Sequence, residues 1–271
     1  MERKPKITVI TVVYNGEKNI ARTIQSIINQ TVSPYEYIIV DGCSTDKTLD
    51  IAERYRNQVE SKGVIYNINS EKDKGIYDAM NKGVQLASGD YIAFLNADDW
   101  YFDDAIEIVC KKYADDIFEL GYGSIQYVDN EKPILVKKSR LDKFVSSRNW
   151  NHPSTFVKKE LYTKYPFDIR YKAYADFSWF LKMRKLHVKI AIFPADKPIA
   201  HFSLGGASMN NNLSFALNRA REKYQAYREN RYSRIYFFES YVWEIAKVIF
   251  ATLFGGSNCK KSSGGGIRIS K

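Results

Sequence analysis

Hydrophobic residues in the first half of the chain follow two periods in alternation. Continuous β-branched runs predict strands, and apolar residues repeated every three or four positions predict helices. The runs cover residues 7–13, 37–40, 64–68 and 91–95, and the helical repeats cover residues 20–28, 49–55, 80–87 and 106–113. This alternation predicts right-handed βαβ units and an α/β fold with a mostly parallel sheet, covered by helices on both faces.

The pattern loosens after about residue 120 and changes again near the C-terminus. Residues 121–128 and 188–193 predict strands, and residues 174–186 predict a helix. Residues 211–231 have a polar, Arg-rich helical pattern, whereas residues 235–254 are almost wholly apolar and aromatic. The tail, residues 256–271, is rich in Gly, Ser and Lys and is predicted to be disordered. We therefore expect one large domain over residues 1–210 and a C-terminal helical extension over residues 211–255.

Composition narrows the class of protein and its partners. With 271 residues and 45% hydrophobic content, the chain can bury a large core. Its 41 basic and 31 acidic side chains leave a net charge of +10, which favours anionic partners such as nucleic acid, phosphorylated small molecules or an acidic membrane. The three cysteines form no metal-binding spacing, and their odd number argues against a disulfide framework. We therefore expect a reducing, cytoplasmic location.

Acidic side chains follow several of the predicted strands. Ligands gather at the carboxyl ends of parallel strands, so these residues are expected along one rim of the sheet. The rim segments are Tyr14-Asn15, Asp41-Gly42, residues 70–73 and residues 96–99. Adjacent Asp98 and Asp99 can face a diphosphate only through a cation, and hard oxygen ligands suit Mg²⁺ or Mn²⁺. Alternatively, this pair caps a helix that begins near Phe102.

The other rim acids also have both chemical and structural interpretations. Asp41 ends a strand at a tight turn, and its carboxylate can accept a hydrogen bond from a uracil imide or a ribose hydroxyl. Asp46 is expected only to cap the following helix. Asp73 precedes another helix, and its neighbours Lys72 and Lys74 are expected to be solvated.

Four segments, in this order and at these intervals, carry a resemblance to a known family. They are ITVITVVYN, VDGCSTDKT, SEKDKGIYDAMNKG and LNADD, all within the first hundred residues. Each is weak alone, but together they resemble the family 2 glycosyltransferases of GT-A fold, as in bacterial surface-polysaccharide synthesis. The resemblance implies a Rossmann-like α/β domain, a nucleotide-sugar donor that is usually UDP-linked, a Mg²⁺ or Mn²⁺ ion, and inversion at the anomeric carbon.

The resemblance also assigns roles to individual residues. It implies that Thr11, Tyr14 and Asn15 line the nucleotide pocket, that Asp41 meets the base, and that Asp73 contacts the base or ribose. The donor half of the domain then spans about residues 1–100, and the acceptor half about residues 101–210.

One motif departs from the family pattern. The family's Asp-x-Asp is Asn96-Ala97-Asp98 in this chain, so the resemblance implies that Asp98 is the metal ligand while the first carboxylate is an amide. Asn96 can coordinate weakly or hydrogen-bond the ribose, but the site loses a charge, and Asp99 can assist.

A carboxylate base is the remaining requirement of inverting transfer. The acceptor hydroxyl attacks in line with the leaving diphosphate, so its base must lie on the opposite face. In FDIRYKAYADFSWFLKMRK, Asp176 begins an aromatic helix and matches the position of the base in similar enzymes. The alternative is an N-terminal Asp stabilised by the helix dipole.

Two histidine segments are further candidates. NWNHPSTF contains Asn151, His152 and Ser154, and similar enzymes place such a loop beside the acceptor or donor sugar; His152 is equally explained as a packed, hydrogen-bonded histidine. IAHFSLGGAS contains His201, which resembles a histidine that some GT-A enzymes place on the metal or diphosphate. A structural histidine is the alternative there.

The apolar segment over residues 235–254 has the length to cross a bilayer but contains charged residues. One polar stripe at helical spacing favours a helix lying in the membrane interface: Ser240, Glu244, Lys247 and Ala251. Basic residues before and after it favour an anionic surface: Arg219, Arg221, Lys223, Arg228, Arg231, Arg234, Lys260 and Lys261. We expect peripheral attachment to the inner face of the cell membrane. The alternatives are packing on the first domain or pairing as a homodimer.

These features predict an inverting hexosyl- or N-acetylhexosaminyltransferase that uses a UDP-sugar and a saccharide acceptor, expected to be polyprenol-linked, in surface-polysaccharide synthesis. A sugar nucleotidyltransferase is the first alternative, but TVVYNGEKN lacks the Gly-rich, Arg-bearing phosphate loop that such enzymes need. A non-catalytic membrane adaptor is the second. Nucleic acid is not expected as a partner, because acids gathered on one rim would repel a polyphosphate strand.

Overall fold

The structure, a computed structural model, describes residues 4–204 and 213–254. The chain divides into two units, Met1–Met209 and Asn210–Lys271. In the first unit, strands of the main sheet are β1 (Ile7–Val13), β2 (Glu36–Asp41), β3 (Ile65–Ser70), β4 (Tyr91–Phe94), β6 (Leu120–Tyr122), β9 (Thr155–Lys158) and β10 (Ile190–Ile192). A second sheet contains β5 (Trp100–Tyr101), β7 (Ile125–Asp129), β8 (Lys132–Lys137) and β11 (Ala200–Ser203). The helices are α1 (Ile20–Ile28), α2 (Thr48–Arg54), α3 (Arg56–Glu60), α4 (Ile76–Leu86), α5 (Ala105–Asp115), α6 (Lys159–Lys164) and α7 (Ala175–Lys185).

The main sheet has the strand order β10-β6-β9-β4-β1-β2-β3. Neighbouring strands from β4 to β3 run parallel, whereas β9 is antiparallel to both β4 and β6. All seven residues of β1 are buried. Ile20, Ile24 and Ile27 of α1 pack in the core on one face, while Gly83 of α4 approaches the other face so closely that a Cβ there would lie 2.7 Å from Ile10 Cγ2. The predicted α/β fold with a mostly parallel, doubly covered sheet is therefore confirmed.

Two predicted boundaries are wrong for identifiable reasons. The single strand expected over residues 121–128 is two strands, β6 and β7, in different sheets. The break falls at Gly123, whose carbonyl accepts side-chain hydrogen bonds from Ser139, Asn151 and Ser154. The helix expected near Phe102 begins at Ala105, because the preceding residues pair with β11 as strand β5.

The register of the parallel strands brings their carboxyl ends together. Val13 of β1 lies beside Asp41 of β2, and Asp41 lies beside Ser70 of β3. Beyond the end of β4, the Leu95 amide still donates to the Ile10 carbonyl of β1. The segments that follow these four strands therefore leave the sheet at one edge, as the sequence pattern predicts.

The second unit contains α8 (Leu213–Glu229) and α9 (Tyr236–Phe254), which pair through buried polar contacts. Lys223 Nζ lies 2.8 Å from a Glu239 carboxylate oxygen, and Arg219 Nε lies 2.9 Å from Glu244 Oε2. Glu244 and Ser240 belong to the polar stripe predicted for the membrane interface, yet both are buried. That part of the prediction is wrong, because Arg219 on α8 pairs with Glu244 on the stripe.

No helix in the described ranges is long and apolar enough to span a bilayer. The side chains of Lys247 and Ala251, and the tail over residues 256–271, lie outside what the structure describes.

Candidate active site

A cradle at the ends of β1 and β2 is bordered by Tyr14, Gly42 and Asp73. A Cβ built on Gly42 would lie 2.5 Å from Asp73 Oδ2 and 3.5 Å from Tyr14 Cδ2, so glycine is the residue that lets the Asp73 carboxylate pack this closely against the turn. The ring of Tyr14 is exposed, and Asp73 Oδ1 accepts from the Gly75 amide at 2.8 Å. The structure thus brings together two residues that the resemblance places at a nucleotide, and a carboxylate oxygen faces the space between them.

Asp41 is fully buried next to this cradle. Its Oδ2 accepts from the Ser44 amide at 2.9 Å and from Ser70 Oγ at 2.7 Å, while Oδ1 accepts from Ser44 Oγ. The carboxylate therefore fixes the turn after β2 against the end of β3. Its contact with a base stays a prediction, since its present partners are both protein serines.

Asn15 joins the same two turns from the other side. Its backbone has a positive φ of 51°, its amide donates to Ser44 Oγ at 2.8 Å, and its Oδ1 accepts from the Thr45 amide at 2.8 Å.

Asp46 accepts from the Thr48 amide at 3.0 Å, which confirms its expected role at the start of α2.

Thr11 does not reach the rim. It is fully buried within β1, and its hydroxyl accepts from the Tyr37 hydroxyl at 3.0 Å. The side chain packs beside Tyr37, so a role for Thr11 in the nucleotide pocket stays a prediction.

The turn over residues 96–99 is held through its backbone. Thr23 Oγ1 of α1 lies 2.9 and 2.8 Å from the carbonyl oxygens of Ala97 and Asp99, which therefore share its single O–H proton. The Asp98 carbonyl accepts from Ser203 Oγ at 2.7 Å and from an Arg22 nitrogen at 3.2 Å. Because the backbone makes these contacts, the turn is anchored without using the side chains of Asn96 and Asp98.

The two acids of this turn have different surroundings. Burial raises the pKa of the half-buried Asp98 carboxyl, and the nearby Arg22 charge only partly opposes this. Asp99 is 1% exposed, and its Oδ1 accepts from the Ser203 amide at 3.0 Å. Burial, followed by the neighbouring Asp98 charge, raises the pKa of Asp99 well above its usual value. Asp99 therefore secures β11 through Oδ1, while its buried Oδ2 has no hydrogen-bond partner among the described residues, so its assistance to a metal stays a prediction; neither acid caps α5, which Asp104 precedes.

His201 lies in an aromatic stack. Its ring centroid is 3.9 Å from that of Phe102 and 4.7 Å from that of Trp100, over which the Arg22 guanidinium also sits at 3.8 Å. Burial, aided by the Arg22 charge, lowers the pKa of His201 to about 4. This packing fits the structural alternative, while His201 Nδ1 is buried without a hydrogen-bond partner among the described residues, so the place of His201 on the metal stays a prediction.

Asn96 and Asp98 nevertheless fit a cation that is shared with a substrate. Asn96 Oδ1 is buried and has no hydrogen-bond partner among the described residues, and the buried Asp98 carboxylate would gain from a nearby positive charge. Mg²⁺ and Mn²⁺ prefer oxygen ligands, and a protein often supplies only one or two of them while phosphates and water supply the rest.

Asp176 lies at the start of α7 and has two side-chain neighbours. The Tyr77 hydroxyl of α4 donates to its Oδ1 at 2.9 Å, and His152 Nδ1 of the 3-10 turn His152–Ser154 lies 3.6 Å from its Oδ2. Burial lowers the pKa of His152, against the opposing effect of the Asp176 charge, so the imidazole is neutral near pH 7. Asp176 and His152 both line a cavity of about 170 Å³.

Three contacts connect this cavity with the rim. Phe94 at the end of β4 packs on His152 with a centroid distance of 5.6 Å. Phe202 lines the cavity and precedes Ser203, which holds the Asp98 carbonyl. Tyr77 belongs to the helix that follows Asp73. The structure therefore places the candidate base and the candidate metal turn on neighbouring elements.

The sequence patterns alone do not indicate Arg22, Thr23, Tyr77 or Ser203. Each acts through a partner at least 74 positions away along the chain, so no local motif marks it. The side-chain contact between Tyr77 and Asp176 spans 99 positions.

A family model described as Glycosyl transferase family 2 matches residues 8–184, from β1 to the end of α7. The chain belongs to glycosyl transferase family 2. It is an enzyme that transfers sugars, and this assignment decides against the nucleotidyltransferase and adaptor alternatives.

Curated relatives of this glycosyltransferase include a PGL/p-HBAD biosynthesis glycosyltransferase of Mycobacterium bovis, which is 28% identical over 208 residues and covers 70% of this chain and 77% of its own. The putative teichuronic acid biosynthesis glycosyltransferase TuaG of Bacillus subtilis is 40% identical over 104 residues, which are 38% of this chain and 40% of TuaG.

Solved structures share the fold. S. aureus TarS 1-349 in complex with UDP-GlcNAc superposes with a TM-score of 0.63 at 19% identity, covering 93% of this chain and 74% of that one. Mannosyltransferase PcManGT from Pyrobaculum calidifontis, in complex with GDP-Man and Mn²⁺, superposes with a TM-score of 0.62 at 18% identity, covering 94% and 77%. These similarities confirm the predicted GT-A fold.

Proposed function

We propose that this glycosyltransferase transfers a sugar from a UDP-sugar to a hydroxyl of a saccharide acceptor, with inversion at the anomeric carbon. The proposal depends on one observation. Asp176 lines a cavity, and the elements around this cavity adjoin the turn that contains Asn96 and Asp98. A base on one side and a diphosphate site on the other is the arrangement that in-line displacement requires.

The donor half is assigned to the cradle and the turn. Tyr14 and Asp73 both lie within 3.5 Å of the Cβ position of Gly42, and we assign the nucleoside to the surface that these two side chains border. Asn96 and Asp98 would hold a Mg²⁺ or Mn²⁺ ion, which when bound neutralises charge on the leaving diphosphate. UDP is the nucleotide proposed, because TarS is described in complex with UDP and with UDP-GlcNAc.

The acceptor half is assigned to the cavity. An acceptor hydroxyl forms a bond to the anomeric carbon while the bond from that carbon to the diphosphate oxygen breaks, and its electron pair leaves with the nucleotide. Asp176 takes the hydroxyl proton as the bond forms. The Tyr77 hydrogen bond at 2.9 Å and the neutral His152 at 3.6 Å keep the carboxylate facing the cavity without neutralising its charge.

The acceptor is proposed to be lipid-linked and the reaction to serve surface-polysaccharide synthesis, with TuaG and a chondroitin synthase of Escherichia coli among the relatives. Membrane docking is assigned to α9 because its outward face is apolar: Phe237, Phe238, Val242 and Ile245 are exposed. At 100° per residue, Phe238, Val242 and Ile245 lie opposite the buried Ser240. The same unit exposes arginines at positions 221 and 228 of α8 and at positions 231 and 234 before α9, which favours an anionic bilayer over other occupants.

The proposed reaction is tested with a donor panel. The full chain is incubated with Mn²⁺ and UDP-glucose, UDP-N-acetylglucosamine, GDP-mannose or dTDP-glucose, and release of nucleoside diphosphate is followed. We expect slow Mn²⁺-dependent release of UDP from one UDP-sugar, faster with an acceptor, and a β-linked product from an α-linked donor. Release from GDP-mannose alone would contradict the nucleotide assignment, and an α-linked product would contradict inversion.

A further inference from the structure

Three consecutive residues present unpaired polar atoms around the cavity beside Asp176. Trp150 Nε1, Asn151 Oδ1 and His152 Nε2 are buried and have no hydrogen-bond partner in the described part of the chain, and all three residues line the cavity. Trp150 is 5% exposed and Asn151 is 2% exposed. Buried polar atoms without partners are rare and costly, and several at one cavity indicate a missing ligand.

The unpaired atoms are held in place by contacts outside the cavity. Asn151 Nδ2 donates to Ser139 Oγ at 2.7 Å and to the Gly123 carbonyl at 3.1 Å. Flipping this amide would set its oxygen against the Gly123 carbonyl, so Oδ1 is the atom left free. The Trp150 ring stacks on Phe180 at 4.7 Å with a 9° interplanar angle, which fixes the direction of its N–H.

The donor and acceptor pattern identifies the chemical class of the ligand. An indole N–H can only donate and a carbonyl Oδ1 can only accept, whereas a hydroxyl does both, so adjacent hydroxyls of a sugar satisfy the pair. The cavity volume of about 170 Å³ is close to the roughly 150 Å³ of an engineered cavity that holds a six-membered ring. Aromatic walls suit the apolar faces of such a ring: Tyr127, Tyr174, Phe177 and Phe202.

A phosphorylated ligand fits this cavity less well. Among the described residues its lining contains one cationic side chain, Lys137, and the ammonium group donates to the Trp150 and Ser147 carbonyls at 3.2 and 3.4 Å. Asp176 adds a negative charge to the same wall, which opposes an anion.

We propose that the Trp150 indole N–H and Asn151 Oδ1 form a hydroxyl-recognition site that positions an uncharged acceptor sugar against Asp176. The inference rests on the proposed function and adds to it the residues that select the acceptor. Removing the Trp150 donor should weaken acceptor binding about tenfold, the loss of one hydrogen bond, and leave the donor site unchanged.

The test compares two tryptophans in the chain loaded with UDP and Mn²⁺. Trp150→Phe removes the unpaired donor, whereas Trp179→Phe removes an indole N–H that already donates to the Tyr165 carbonyl at 2.6 Å outside the cavity lining. Methyl glycosides of glucose, galactose, mannose and N-acetylglucosamine, with their monodeoxy analogues, serve as probes in saturation-transfer NMR titrations. Thermal unfolding midpoints are measured for both variants.

We expect opposite results from the two variants. Trp150→Phe should weaken one glycoside about tenfold while its unfolding midpoint stays equal or rises, since an unsatisfied buried donor is gone. Trp179→Phe should lower the midpoint and leave glycoside binding intact. The monodeoxy analogue that lacks the hydroxyl bound by Trp150 should bind wild type more weakly than the parent glycoside. Its affinity for Trp150→Phe should then equal its affinity for wild type.

Equal glycoside affinity in wild type and Trp150→Phe would overturn the inference, as would the absence of glycoside binding to the UDP-loaded wild type. Failure of the proposed function is a different result, because UDP and Mn²⁺ would then not load the protein at all.

Discussion

Asp98 and Asp176 are both half-buried carboxylates, yet their neighbours differ. Asp98 has a raised pKa through burial, and its own backbone carbonyl, not its carboxylate, holds the turn. Asp176 accepts a hydrogen bond from Tyr77 and faces a neutral histidine across a cavity. The surroundings of Asp98 favour a ligand that brings positive charge. The surroundings of Asp176 leave its carboxylate able to accept a proton from a hydroxyl.

Asp176→Asn should lower the rate of sugar transfer by about 10² to 10⁴-fold, because the amide cannot take the acceptor proton. UDP affinity should stay unchanged, since the substitution keeps the side-chain shape beside Tyr77. Asp168→Asn is the matched control. Within the described ranges, the carboxylate of Asp168 forms an ion pair only with Arg170. Steady-state kinetics and UDP titration check both variants; transfer that persists in Asp176→Asn would reduce Asp176 to a helix-terminal acid.

His201 should make the fold less stable in mild acid. Its pKa of about 4 in the folded protein lies below the usual value of 6.5, so the unfolded chain binds more protons between these values. Stability from this group is therefore complete above pH 6.5 and is lost as pH falls towards 4. His201→Phe keeps the stack on Phe102 and should show a smaller fall in melting temperature from pH 7 to pH 5 than wild type. An equal fall in both proteins would contradict the assignment.

At the scale of elements, α1 and β11 together hold the 96–99 turn. Thr23 of α1 is the central contact because two carbonyls of the turn share its hydroxyl proton, and Ser203 of β11 donates to the Asp98 carbonyl between them. The metal candidates are thus positioned by elements that lie far from them in sequence.

Thr23→Val should remove the hydroxyl proton that the two turn carbonyls share and cost about 1–3 kcal/mol of unfolding free energy. We also expect weaker Mn²⁺-dependent UDP binding, because Asp98 is no longer fixed. Thr8→Val is a matched control at the opposite end of β1, where the hydroxyl donates to Glu36 at 2.6 Å. That variant should lose stability but keep UDP affinity, and parallel losses of affinity in both variants would refute the positioning role.

The α8–α9 hairpin has a second element-scale consequence. Burial of the Lys223–Glu239 and Arg219–Glu244 pairs turns the apolar face of α9 outward. Phe238→Asp in the full chain should reduce co-sedimentation with anionic phosphatidylglycerol vesicles, while Phe144→Asp, at an exposed phenylalanine of the first unit, should not. If binding is unaffected and light scattering instead shows a dimer that Phe238→Asp dissociates, the face belongs to a second copy.

At the scale of the whole molecule, the fold followed from the sequence where packing is local and periodic. The apolar run over residues 7–13 predicted β1, and the spacing of the isoleucines in α1 predicted the helix that covers it. Both patterns are visible in the sequence because burial against one core sets the period of apolar residues in a strand and in a helix. The second sheet could not be predicted from the sequence, since β5 and β11 are short and pair across a long sequence separation.

The site followed from the sequence in part. Strand-end acids predicted the rim, and Tyr14 and Asp73 do share a space there. For Thr11, Asp99 and His201 the structure adds protein contacts that no motif displays, so their roles at the nucleotide or metal stay predictions. Unpaired atoms such as Trp150 Nε1 are visible only once the cavity exists.

Isothermal titration of UDP with and without Mn²⁺, on wild type and Asp98→Asn, tests the central claim most directly. We expect UDP binding that strengthens at least tenfold with Mn²⁺ in wild type, and little or no such gain in Asp98→Asn. Equal UDP affinity with and without the metal, or a full metal effect in the variant, would contradict a diphosphate site built on Asn96 and Asp98.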